Sequence, residues 1–196
     1  MKLNELIPNH SLWLKNSNAG VQIDINNIKL LKEQVLSKLL LSSIFEKTEF
    51  NDIVFKNCDL TGSSFFNCSF KRCNFSHSLL NKCEFYDCVF EDVIFDNIQL
   101  VKSELNNCLL PYSAISDSNL DWSYFNNCDL REVHFKGITL EGAIFVHCKM
   151  FNSKKNSMSF GTKYPSKLID IDFSSEGNNS IVIQKNEFLK RIVWKE

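Results

Sequence analysis

FKNCDLTGSSFFNCSFKRCNF, residues 55–75, carries a large apolar side chain at every fifth position: Phe55, Leu60, Phe65, Phe70 and Phe75. Its three cysteines, Cys58, Cys68 and Cys73, each stand two residues before one of these. Gaps of ten and five residues fit neither a C-x2-C metal knuckle nor an evident disulfide framework. The spacing therefore points to a repeat.

Followed outward, the five-residue series runs without interruption from Phe45 to Met150, twenty-two positions in all. Since about half of the residues in an ordinary chain are apolar, chance would produce such a run less than about once in a million trials. A second column lies two residues earlier, from Ser43 to Cys148. Every member is small or β-branched, none is charged, and all eight cysteines of the chain fall in it. The other three positions of each pentad hold nearly all the charged and amide residues of the region.

A period of five belongs to neither a helix nor a continuous strand. In an extended segment residues i−2 and i share a side, so one bend per pentad keeps both inward and the other three outward. Four such sides per coil give a period of twenty, and sorting by twenty segregates residue types. One side collects Leu60, Leu80, Leu100, Leu120 and Leu140; another collects Phe45, Phe65, Phe85, Leu105, Phe125 and Phe145. A third places Cys68, Cys88, Cys108, Cys128 and Cys148 above Thr48. The pattern predicts a four-sided coil.

Pentads such as CDLTG (58–62), CNFSH (73–77), SNLDW (118–122) and CDLRE (128–132) resemble the pentapeptide-repeat family. That resemblance implies an all-β fold, a right-handed quadrilateral parallel β-helix, over residues 43–152. Residues 1–42 are expected to form an N-terminal cap, partly helical or irregular, with LIPNHSLWL (6–14) as an apolar plug. Glu33 and Lys38 would fall on inward positions, and burying two charges is costly. A short helix or irregular turn is therefore expected near 29–40. His10 and Trp13 read as packing residues. Residues 153–196 are expected to form a C-terminal cap, because the phase fails after Met150. KLIDIDF (167–173) and IVIQ (181–184) suggest a hairpin, and the last stretch a helix with Phe188, Leu189, Ile192 and Val193 on one face. That face either caps the last coil or, as in some members of the family, mediates a homodimer.

Eight cysteines invite a metal reading, but a line of thiols at strand spacing does not converge on a tetrahedron. They read as reduced, buried core residues of a cytoplasmic protein. No metal or cofactor is expected. There is no G-x-S-x-G, P-loop or H-E-x-x-H, and His10, His77, His134 and His147 fall in different columns, so no catalytic site is expected. No signal peptide or membrane-spanning run is evident, and a net charge of −1 favours neither nucleic acid nor a membrane as partner.

Some family members shield DNA gyrase by mimicking DNA. Residues 43–152 hold fifteen acidic and nine basic residues, a net of −6, whereas duplex DNA of that length carries roughly fifteen phosphate charges. Close mimicry is not expected. The exterior offers apolar side chains instead: Phe66, Tyr86, Val89, Leu109, Tyr112, Trp122 and Tyr124 form the candidate partner-binding surface. The expected function is protein binding without catalysis. The resemblance suggests self-protection of bacterial type, with a toxin or a topoisomerase as partner. The alternative is a structural spacer or scaffold.

Overall fold

The computed structural model describes residues 1–150, 154–159, 164 and 166–171. From Asp24 onward the chain winds into coils of twenty residues, each pairing in parallel with the coils above and below it. Face 1 begins with β1 (Asp24–Asn26) and is eight-stranded among the described residues. Face 2 begins with β2 (Lys29–Leu31) and face 3 with β3 (Gln34–Leu36). Face 4 is a column of single parallel bridges through Leu39, Asp59, Leu79, Gln99, Asn119 and Thr139.

Each pentad has one local solution. The large residue centres a side and points inward, and the residue two places on turns the corner with φ near +55°. From Asn27 to His147 every fifth residue has positive φ. Asn and Asp tolerate this left-handed region best after Gly and fill many of these corners. The large residue also shapes its side. Phe50, Phe70 and Phe90 centre three-residue strands on face 2. At Leu110 and Leu130 only a single bridge remains, and the Leu carbonyl accepts a turn bond from Ser113 or Val133.

The core is a stack of rings. Phe45, Phe65 and Phe85 on face 1, and Phe50, Phe70 and Phe90 on face 2, lie 4.6–5.0 Å apart with nearly parallel planes. Rings on adjacent faces meet edge to face, as in the Phe65–Phe70 pair at 5.6 Å. Both geometries suit the aromatic quadrupole.

The small column has a chemical role as well as a steric one. Most of its hydroxyls and thiols donate to the carbonyl of the large residue one coil below. Ser63 Oγ reaches Leu40 O at 2.8 Å, Cys83 Sγ reaches Leu60 O at 3.1 Å, and Cys68 Sγ reaches Phe45 O at 3.3 Å. A buried carbonyl thus gains a partner, and Ser and Cys are interchangeable as donors. All eight cysteines are buried and unbridged. Burial pushes the Cys73 thiol up to about 11 and the Cys83 thiol up to about 12. Neighbouring thiols, and then burial, raise Cys68 and Cys108 as well.

The N-terminal end departs from expectation. Residues 29–40 are neither helical nor irregular; they hold β2 and β3, so coiling starts about twenty residues earlier than the sequence suggested. The one helix described, α1 (Leu3–Lys15), covers the first coil with Leu3, Ile7 and His10 buried. Glu33 does point inward and is 6% exposed, but it meets the start of this helix. Its carboxylate accepts from the Leu3 N–H at 2.8 Å, the Asn4 N–H at 3.1 Å and the Asn4 side-chain amide at 3.1 Å. Free helix N–H groups and the helix dipole offset the cost of burying the charge. Lys38 escapes burial altogether, because no coil lies beneath it, and stays exposed. His10 stacks on Trp13. Its Nδ1 accepts from the Ile23 N–H and its Nε2 bonds to the Leu41 carbonyl, both at 3.0 Å. Gly20 passes so close to α1 that a Cβ there would lie 2.2 Å from the Asn9 carbonyl oxygen.

At the other end, Lys154–Ser159 pairs in phase with His134–Thr139, so the backbone carries the coil past Met150. Lys167–Ile169 pairs in parallel with Ile144–Val146, twenty-three residues earlier. This segment therefore extends face 1, and the three extra residues bring Leu168 opposite Phe145. Residues 181–184, Phe188, Leu189, Ile192 and Val193 lie outside the described residues.

Candidate partner-binding surface

Outward positions repeat with the same period, so each face carries vertical columns of side chains. Phe66 and Tyr86 are successive members of one column on face 1, their rings stacked at 5.7 Å and 17°. Val89 and Leu109 are successive members of a column on face 2, bridged in parallel. Between the two columns runs a corner bearing Asn67, Asp87 and Asn107, all at positive φ. Four of the seven candidate residues thus flank one corner, with Leu109 44% exposed.

The other three are elsewhere. Tyr112 stands alone at the corner between faces 2 and 3, 72% exposed. Trp122 sits at the corner between faces 4 and 1, packed over Gly142, where a Cβ would lie 2.6 Å from its ring. Tyr164 meets Trp122 with ring centroids 4.9 Å apart, so the chain itself partly covers this residue. Tyr124 lies on face 1 in the column next to Trp122, level with Glu104 and Ile144 of the adjoining strands.

Charge is arranged by face. On face 2 and its corner with face 3, acids meet bases one coil away: Lys29 with Glu49 at 2.8 Å, Lys71 with Glu91 at 2.6 Å and Arg72 with Asp52 at 2.7 Å. Hydrogen bonds from Lys29 and Arg72 hold the Glu49 and Asp52 carboxyls below the usual range. Face 1 differs. Its outward strand positions from Asp24 to Val146 include Asp24, Glu46, Glu84 and Glu104, and no Lys or Arg. Partial burial, and then Glu104 and Glu84, raise the Tyr86 phenol. The sequence reading named the rings but missed these acids; sorting outward residues by twenty would have found them.

Among the described residues no group of three or more His, Cys, Asp or Glu side chains converges to hold a metal ion. No helix among them is long and apolar enough to cross a membrane. The model of the pentapeptide repeat region matches residues 78–160. Residues 78–160 are a pentapeptide-repeat region. No curated protein sequence matches the chain. Among solved structures, the solenoid is similar to full-length QnrB1, a plasmid-mediated fluoroquinolone resistance protein, at 18% identity and a TM-score of 0.47. That match covers 78% of this chain and 94% of QnrB1. It is also similar to Rfr23, a pentapeptide-repeat protein from the cyanobacterium Cyanothece, at 12% identity and a TM-score of 0.39, over 67% of this chain and 92% of the other. HetL of Nostoc sp., involved in heterocyst differentiation regulation, matches at 10% identity and a TM-score of 0.23, over 89% and 98% of the two chains.

Proposed function

We propose that this pentapeptide-repeat solenoid is a non-enzymatic binding protein that docks another protein on the corner between faces 1 and 2. One observation carries the reading: Phe66 stacks on Tyr86 on one side of a corner whose other side bears Val89 bridged to Leu109, so two apolar pairs flank Asn67, Asp87 and Asn107. Inward residues already complete the core without these side chains, so folding alone does not require them to be apolar. Exposed clusters of this kind more often mark interfaces than chance.

The biological setting we propose is self-protection in the cytoplasm, with a toxin or topoisomerase as the protein bound. What suggests this setting is the resemblance of the pentads to the pentapeptide-repeat family. A rigid spacer is the second reading, favoured by the unbroken ring stacks of the core. Tagged chain and its Phe66→Ser/Tyr86→Ser variant, each used for affinity capture from native lysate, separate the two. The binding reading expects specific proteins to be captured by the parent and lost by the variant. Identical capture by both would leave the spacer reading standing. Expression in cells challenged with a gyrase poison tests the setting: survival should rise with the parent and not with the variant.

A further inference from the structure

We infer that the segment docking on this corner is cationic, presenting Arg or Lys next to an apolar side chain; the inference rests on the binding reading above. The apolar part is the Phe66–Tyr86 pair and, across the corner, Val89 and Leu109, and the charges between and beside them decide the occupant. Glu84 and Glu104 stand on face 1 in the column beside the rings, and Asp87 stands on the corner; all three are exposed. Their present partners are neutral. Glu84 accepts from Ser64 Oγ at 3.3 Å, Glu104 from the Tyr86 hydroxyl at 3.4 Å, and Asp87 from the Asn107 side-chain amide at 3.0 Å.

Lys82 and Lys102 stand two residues before Glu84 and Glu104, at the far corner of face 1, yet among the described residues neither makes an ion pair with them. Face 2 shows that this chain pairs acids across coils where a base is placed one coil away. On face 1 and its corner with face 2 it leaves three carboxylates near an aromatic pair without one. Carboxylates beside half-buried rings suit a guanidinium or ammonium group, which packs against a ring and bonds to the acid. A polyanion is disfavoured at the same place. Nucleic acid and anionic membranes are thereby poor occupants, and a basic protein segment is a good one.

Anisotropy of a fluorescent nonapeptide alternating Arg and Leu, titrated with the full chain, tests the inference beside a peptide with Glu in place of Arg. The Arg peptide should bind and the Glu peptide should not. Glu84→Gln/Asp87→Asn/Glu104→Gln should weaken binding about tenfold or more, as should raising salt from about 50 mM to about 500 mM. All three substitutions are outward, so melting curves serve as a check on folding. Equal binding of both peptides, binding of neither, or unchanged binding by the triple variant would overturn the inference. Lysate capture separates this failure from failure of the function. If the triple variant captures the same proteins as the parent while Phe66→Ser/Tyr86→Ser loses them, docking stands and its cationic character falls. If the aromatic variant loses nothing, docking itself falls.

Discussion

Glu33 offers the sharpest test of how the solenoid is closed. A buried carboxylate facing an apolar core should burden the fold, and an apolar residue of similar size should then be stabilising. The structure argues the opposite, because Glu33 accepts three hydrogen bonds from the first turn of α1. Hydrogen bonds to a charged group contribute about 1.5–3 kcal/mol each, and an anion at a helix N-terminus adds up to about 2 kcal/mol in partly buried sites. Part of this offsets desolvation. Glu33→Gln, which keeps shape and one acceptor, should lose about 2 kcal/mol; Glu33→Met, which orphans the Leu3 and Asn4 N–H groups, should lose about 3 kcal/mol. The loss should be local, since each coil contacts only its neighbours. Hydrogen exchange resolves this: amides of α1, Leu30 and Val35 should exchange faster, while those near Phe85 and Phe90 should not change. If Glu33→Met protects the first coil as well as the parent or better, the reasoning is refuted.

Three further outcomes follow from the geometry. Burial holds the His10 imidazole below its ordinary value, although its bond to the Leu41 carbonyl opposes this. The unfolded chain then binds the extra proton, so stability should be full above about pH 6.5 and fall as pH drops through that value. Urea midpoints at pH 7.5 and 5.0 should differ more for the parent than for His10→Gln. Cys83→Ser should change stability little, since serine can donate to the Leu60 carbonyl, whereas Cys83→Ala should cost about 1 kcal/mol, because that carbonyl keeps its bond from the Ser63 N–H and loses only its second donor; thiol reagents should label the native protein slowly throughout. Tyr112→Gly should stabilise by about 0.5 kcal/mol, because a left-handed non-glycine costs about 1–2 kcal/mol and glycine loses part of that through its unfolded-state entropy. A thermal melt that falls instead would mean Tyr112 makes contacts that stabilise the fold.

The inward columns were legible in the sequence because each coil must repeat the volumes of the last. Phe45, Phe65 and Phe85 betray their stacking by spacing alone. The first coil was not legible, because its signal is mixed. Glu33 obeys the inward geometry only because a helix beginning at Leu3 supplies N–H groups, and no local pattern connects residues thirty apart. The corners were half legible: a bend per pentad was evident, but Lys47, Tyr112 and Trp122 give no hint of the left-handed conformation imposed there. At the candidate surface the rings could be placed by counting, as could the sharing of a corner by Tyr86 and Val89. The cover that Tyr164 gives Trp122 could not, since it comes from chain beyond the regular repeat.

The twenty-residue register also bears on how the chain reaches this fold. Most pairing joins residues about twenty apart in a chain of 196, a relative separation of about 0.1, which all-β domains seldom achieve and helical bundles commonly do. Each coil needs only its predecessor as a template. On a ribosome, α1 emerges before β1 to β3, which can close on it through His10 and Glu33 before the remaining coils exist. Assembly can then proceed turn by turn at the pace of synthesis, with one growing edge exposed at a time.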